Sequence, residues 1–220
     1  KEIASGKITQ FRNEPGNVKS ISSNWLNSIY QDQDEVMWFS SALGLNRFDE
    51  KTQSFTRYVM NQNDTSSLAW NDVSVLYTDS KSNFWVCTYG GGLHLMDKKN
   101  GTFTRFQSKE SDSTSLSSNI LTCILEGDSN DLWIGGWDGG GINRMDYKTK
   151  KCNHYLPGTN VVVIVKDSKG TTWASSLNNI YKYDSRKDSF ALYAVGDVPL
   201  ELNGIKSMIC LLYTSPSPRD

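Results

Sequence analysis

Four aromatic residues stand beside polar or glycine neighbours in a way that could do chemistry: Trp25 after Asn24, Trp70 before Asn71, Tyr89 before Gly90, and Trp137 before Asp138. A ring next to amides or a carboxylate is suited to binding a sugar. The ring takes the C–H face, and Asp138 offers acceptor oxygens to hydroxyls. The competing reading is that these rings only cover their own loops. Covalent and hydrolytic chemistry finds little support. The chain has no Gly-x-Ser-x-Gly elbow and no His-Glu-x-x-His pair, and Gly90–Gly92 and Gly139–Gly141 lack the following helix that would hold a phosphate. Carboxylates are plentiful enough for a glycosidase pair, but most recur as turn residues. The sequence therefore predicts no enzyme and no cofactor. A calcium loop would need alternating Asp or Asn followed by Gly. Only Asp32-Gln33-Asp34 begins that way before Glu35-Val36 ends it, so no metal site is expected. Cys87, Cys123, Cys152 and Cys210 show no Cys-x-x-Cys spacing and read as free, buried thiols.

The elements that must position these residues come from an internal repeat. Trp38, Trp85, Trp133 and Trp173 recur at intervals of 47, 48 and 40 residues. Asp32, Asp79 and Asp167 stand six residues before their Trp, with Gly127 in that place in the third copy. Beyond each Trp come an apolar residue (Leu45, Leu93, Ile142, Ile180) and then an Asp (Asp49, Asp97, Asp146, Asp184). Phe55, Phe103, Cys152 or Phe190 follows, and three residues later Tyr58, Phe106, Tyr155 or Tyr193. Each copy divides into four short apolar–polar segments rich in β-branched and aromatic residues, here called strands A to D. Four antiparallel strands per repeat of this length make the blade of a β-propeller. The periodic Trp residues should pack blade on blade, each burying some 150–250 Å². The periodic Asp residues should cap turns by accepting backbone N–H bonds.

The fold expected is all-β, an incomplete propeller over 1–210 with four blades at about 20–59, 67–107, 115–156 and 159–194. Half-blades are expected at 6–11 and 203–210, where Ile205 and Met208 match Val73 and Leu76. The tail 211–220 fits no strand of the repeat and looks non-native. Both ends stop in mid-blade, so the chain reads as a fragment whose terminal blades lack neighbours. Alternating strand direction brings the D–A and B–C connections to one face. Trp25 and Trp70 lie in D–A connections, Tyr89 and Trp137 in B–C turns where copies one and four have Ala42 and Leu177. Tyr89, Trp137 and Asp138, with Trp70 adjoining, are expected to form a ligand-facing ridge.

The tandem pattern Ser20-Ile21-Ser22-Ser23-Asn24 … Met37-Trp38-Phe39-Ser40 … Gly44-Leu45-Asn46-Arg47-Phe48-Asp49 … Phe55-Thr56-Arg57-Tyr58 resembles the two-component regulator propeller repeat. Copy three repeats it from Ser115-Leu116-Ser117-Ser118-Asn119 to Asp146. Two departures stand out. The family's Gly in the A–B turn survives only as Gly170, with Glu35, Ser82 and Asn130 elsewhere. Copy four has Pro157-Gly158-Thr159-Asn160 in place of the Ser-rich segment. The resemblance implies the periplasmic sensor region of an inner-membrane-anchored hybrid histidine kinase, many of which respond to glycans. Its partners would be an oligosaccharide, the remaining blades and kinase of the same chain, and a second copy as a homodimer. The alternative is a propeller used only for protein docking or dimerisation.

Composition is that of a soluble, core-forming chain, neither disordered nor collagen-like. Of 220 residues 37% are hydrophobic, and 23 Lys+Arg against 24 Asp+Glu leave a net charge of −1. Such a chain lacks the basic field that nucleic acid requires. The longest aliphatic run, Val161 to Val165, falls far short of the roughly 20 residues of a membrane span. No export leader is visible after Lys1.

Overall fold

The computed structural model describes residues 8–128 and 130–193. Every regular element among them is a strand, and the sixteen strands form four antiparallel sheets, each a meander in chain order. The first sheet holds β1 (Leu26–Gln31), β2 (Met37–Ser41), β3 (Gly44–Asp49) and β4 (Ser54–Tyr58). The second holds β5 (Val73–Thr78), β6 (Phe84–Thr88), β7 (Leu93–Asp97) and β8 (Thr102–Phe106). The third holds β9 (Leu121–Glu126), β10 (Asp131–Gly136), β11 (Ile142–Asp146) and β12 (Cys152–Tyr155). The fourth holds β13 (Val161–Lys166), β14 (Thr172–Ser176), β15 (Ile180–Asp184) and β16 (Ser189–Tyr193). These are the blades of an all-β, propeller-type fold. The chain divides after Arg105 into two compact units of two blades each. Residues 8–11, expected as a final D strand, are not a strand. No strand pairs with them among the described residues, and Phe11 packs edge-on against Phe48 and Phe55 at 5.1 and 5.6 Å. The expected half-blade at 203–210 and the tail 211–220, including Cys210, lie outside the described residues.

Within each unit the blades stack through the periodic tryptophans. Trp38 is buried with its ring 4.7 Å from Phe84 of the next blade, in a core with Leu45, Leu76, Val86 and Met96. Trp133 meets Tyr183 and Phe190 at 4.9 and 5.5 Å. A buried indole N–H needs an acceptor, and the Asp six residues upstream supplies it. Trp38 Nε1 donates to Asp32 at 2.9 Å, Trp85 to Asp79 at 2.7 Å and Trp173 to Asp167 at 2.8 Å. The other carboxylate oxygen caps the A–B turn: Asp79 Oδ1 accepts from the N–H groups of Lys81 and Asn83 at 3.0 and 2.9 Å. Burial alone would raise the Asp32 carboxyl, but hydrogen bonds from Trp38, Lys98 and the Val36 N–H bring it below the ordinary carboxylate value. The turn so closed needs one residue in the left-handed region. Glu35, Ser82, Asn130 and Gly170 take φ of 62°, 63°, 61° and 81°. Three of the four accept the strain of a side chain there.

The third blade departs from this arrangement: among the described residues no carboxylate accepts from its Trp133, and Asp131 Oδ1 is buried without a hydrogen-bond partner. A Cβ on Gly127 would lie 1.7 Å from Asp131 Oδ1 and 3.1 Å from Trp133 Nε1. The Asp131 carboxylate therefore fills, from the opposite side of the turn, the space that the upstream Asp occupies elsewhere. Its Oδ2 pairs with Arg144 Nε at 2.6 Å, and the Arg144 guanidinium lies 5.0 Å from the Trp133 ring.

Each first strand opens with a bulge that skips Asn27, Ser74, Thr122 or Val162. Bulged side chains then tie neighbouring blades. Asn27 Nδ2 donates to Asp72 Oδ1 and the Val73 carbonyl at 2.8 Å, and Thr122 Oγ1 donates to the Val161 carbonyl at 2.6 Å.

The segments between blades fold back over the outer strand of the blade that follows them. Lys19, Ser66 and Thr114 carbonyls accept the N–H of Phe55, Phe103 and Cys152 at 2.7–2.8 Å. Arg57 on β4 reaches three carbonyls and a hydroxyl of 17–21, and Arg105 on β8 does the same to 64–68. His154 on β12 bonds the Ser115 carbonyl at 2.8 Å. A polar side chain in strand C holds the far end of each clasp. Asn46 accepts the Ser22 N–H, Asn143 the Ser117 N–H, and His94 Nε2 the Ala69 N–H at 3.0 Å.

Two expectations follow. Gly127→Asp places two carboxylates in one space and should cost about 1–3 kcal/mol, whereas Gly127→Asp with Asp131→Asn should regain most of it in denaturant titrations. His94 is fully buried, and burial lowers its pKa from 6.5 to about 4. The unfolded chain binds the proton first, so the contribution of neutral His94 is complete above pH 6.5. It is lost as pH falls toward 4, by roughly 3 kcal/mol. His94→Asn should flatten that part of the stability–pH curve relative to wild type.

Candidate functional site

In each meander the B–C turn and the arrival of the D–A segment lie at the same end of the blade. In the first unit this end carries Trp25, Trp70 and Tyr89, exposed to 85%, 47% and 41%. Their neighbours Asn24 and Asn71 serve the fold: each Oδ1 accepts a backbone N–H eleven residues upstream, from Asn13 at 2.7 Å and Met60 at 2.6 Å. Trp25 donates its N–H to Ser23 Oγ at 3.0 Å, and Tyr89 donates its own to the Asp72 carbonyl at 2.8 Å.

Trp70 lies across the turn that carries Tyr89. A Cβ on Gly90 would sit 3.1 Å from Cδ2, Cε2 and Nε1 of the indole alike, and one on Gly91 would sit 2.8 Å from Trp70 Cβ. Gly90 takes φ of +143°. The glycine run thus lets a ring lie flat on backbone. One face of the indole rests on Gly90, while nearly half of the residue stays open to solvent. For Trp70 the loop-covering reading is met on one face, and that packing fixes the plane of the exposed part.

Trp137 and Asp138 belong to the second unit, at the turn equivalent to that of Tyr89. Trp137 is half-buried; its N–H reaches the Ile120 carbonyl at 2.8 Å, and its carbonyl accepts the Gly140 N–H at 3.1 Å. With Asp138 and Gly139 at φ of 56° and 74°, residues 137–140 form a type I′ turn, for which Asp-Gly is a favoured pair. Asp138 is exposed, so its conformation serves the turn while its carboxylate faces solvent.

A cleft at the other end of the second unit was not anticipated. It encloses about 730 Å³ and is lined by Trp133, Arg144, Tyr183, Asp188, Lys169 and Lys182, among others. Arg144 Nη1 donates to Tyr183 Oη at 3.0 Å, and Tyr155 Oη donates to Asp188 Oδ1 at 2.8 Å. Burial and the hydrogen bond to Asp188 raise the Tyr183 phenol well above its ordinary value, so it is a neutral donor. Spacing alone gave no signal for this group, because Arg144 reads as a repeat residue matched by Arg47 and Lys182. Among the described residues no cluster of His, Cys, Asp and Glu is arranged to hold a metal. Cys87, Cys123 and Cys152 are buried and free, and burial pushes the Cys123 and Cys152 thiols up to about 12.

No protein-family model and no curated protein sequence matches the chain. Solved structures do. The extracellular domain of a protein described as the hybrid two-component system BT3049 of B. thetaiotaomicron is 29% identical, with a TM-score of 0.71 over 82% of this chain and 25% of its own. The corresponding domain of BT4673 from the same organism is 24% identical, with a TM-score of 0.67 over 83% and 26%. Virginiamycin B lyase of Staphylococcus aureus shares the fold at 15% identity and a TM-score of 0.58, over 76% of this chain and 55% of the lyase. The chain spans about a quarter of the length of the two sensor-system domains.

The turn geometry at Asp138 is testable on its own. Asp138→Gly should leave stability within about 0.5 kcal/mol, because glycine takes this φ without strain. Asp138→Val should cost about 1–2 kcal/mol, as a β-branched residue resists the left-handed region. Chemical denaturation of the two variants checks this.

Proposed function

We propose that this chain is a stretch of the extracytoplasmic ligand-sensing propeller of a hybrid two-component histidine kinase, built from two-component regulator propeller repeats and responsive to glycans. The observation that carries the reading is the 29% identity and 0.71 TM-score to an extracellular domain of such a system. The four-copy Trp–Asp blade grammar supports it. The segment would lie in the periplasm, as part of an inner-membrane-anchored protein, and act by binding rather than catalysis. Its ligand-facing residues would be Trp25, Trp70 and Tyr89 in the first unit and Trp137 and Asp138 in the second. All sit on the loop end of the blade, where a rigid scaffold presents variable side chains.

The complete reading frame that contains this chain tests the sensor assignment. A membrane helix followed by a histidine kinase is expected. A frame with neither would leave the docking-scaffold alternative. In the intact sensor region, Trp137→Ala and Tyr89→Ala should each weaken glycan binding by about 1–3 kcal/mol with little change in melting temperature. A large loss of stability would return both rings to the packing of their loops.

A further inference from the structure

The two ends of the blades differ sharply in charge. In the first unit, the residues that cap the B–C and D–A end (23–25, 42–43, 69–72 and 89–92) include one charged residue, Asp72, and no Lys or Arg. The Asp72 carboxylate accepts from Asn27 Nδ2. The turns at the opposite end of the same two blades, between the strand ends, hold nine charged residues. The second unit repeats the pattern: Asp138 stands alone across 117–120, 137–141, 157–160 and 177–179, against nine at its other end. What the uncharged end offers instead is aromatic surface, backbone and amide groups.

An anionic ligand needs a cation or a cluster of oriented N–H donors to offset its desolvation. The segments 69–72 and 89–92 around Trp70 and Tyr89 provide no cation, Arg12 lying instead in a cleft with Ser23 and Asn24 of the first blade, and Asp72 would repel an anionic ligand at the Trp70 ring. A neutral saccharide needs C–H stacking area and hydrogen-bonding groups, and both are present. The Trp70 indole is also held in place before any ligand arrives, because Gly90 supports one of its faces and Gly91 packs against its Cβ. A pre-set ring loses little entropy on binding.

We infer that this end of the first unit selects non-ionic oligosaccharides, with the Trp70 indole as stacking platform and Gly90 as the positioning residue that sets its plane. The inference rests on the glycan-sensing reading and narrows it to a ligand class.

The test uses the intact extracytoplasmic region that carries this chain. It is titrated calorimetrically with short neutral xylo-, manno- and gluco-oligosaccharides, and separately with oligogalacturonides and heparin fragments. At least one neutral series should bind, with affinity changing less than about threefold between low and high salt. Trp70→Ala should weaken that binding by about tenfold or more. Gly90→Ala, which keeps the indole but pushes it off its support, should weaken it comparably. Trp70→Phe keeps a ring in place and should retain part of the affinity, while the melting temperature of Gly90→Ala, whose φ of +143° resists a side chain, separates loss of the platform from loss of folding. Preferential, steeply salt-dependent binding of the acidic fragments would overturn the non-ionic class and leave glycan sensing standing. Neutral binding untouched by Trp70→Ala would overturn the platform. Binding of neither series would overturn both the inference and the glycan reading beneath it.

Discussion

An indole packed between two sheets brings a polar N–H into a region without water, and leaving that proton unpaired costs about 1–3 kcal/mol. Much of the blade is organised around paying that cost once. The acceptor is a carboxylate on the A–B turn, and its second oxygen closes the turn by taking two backbone N–H groups. Closing the turn in turn dictates a left-handed residue, which is why Glu35, Ser82 and Asn130 adopt a conformation natural to Gly170. One buried hydrogen bond therefore links the inter-blade core, the turn and the backbone strain. The third blade is the exception, with no such bond to Trp133 among the described residues and with Asp131 Oδ1 left unpaired. With Gly127 in place of the Asp, a carboxylate still occupies the same space, now from Asp131, and Arg144 is recruited to balance it.

The long D–A segments answer a second constraint. The outer strand of a four-stranded blade presents unpaired backbone groups, which invite edge-to-edge association. Residues before the first, second and third blades cover that edge with backbone hydrogen bonds, and an Arg or His of the outer strand holds them there. The fourth blade follows a short connection, Pro157–Asn160, and has Leu192 where the others have Arg57, Arg105 and His154. Leu192 is 64% exposed. The missing Ser-rich segment and the missing polar latch are thus one change, seen at two places in the sequence.

Signals that are local in the chain were legible. Strand alternation, the Trp period and the Asp turn caps all act within a few residues, and the sheets carry them as read. The indole–carboxylate bond was encoded in the same six-residue spacing, but its meaning depends on both side chains turning inward. The clasp could not be read at all, because it depends on register between segments some forty residues apart. Asn46 and Asn143 repeat in type, but His94 takes the same position and the same backbone N–H in the second copy, so identity alone does not mark the role. Residues 8–11 mislead for the opposite reason: Ile8 and Phe11 match a strand pattern, but no partner strand is present among the described residues. At the candidate site, the sequence named the exposed rings. It did not reveal that Gly90 exists for Trp70, since close approach of backbone to a ring leaves no periodic trace.

The same constraints explain why recognition would be placed at one end of the blade. At the A–B and C–D end, every turn is committed. Asp49, Asp97, Asp146 and Asp184 each cap their own backbone, and the A–B carboxylates hold tryptophans. A substitution there disturbs the core directly. At the B–C end the main demand is a tight turn, which glycine or Asp-Gly satisfies and which Ser41 and Thr88 brace from the strand ends. Leu43, Tyr89, Asp138 and Leu177 occupy such places and are all exposed. A repeat protein that must keep its blades alike has most room to vary its surface in these turns, and in this chain one of them carries Tyr89 beside the Trp70 indole.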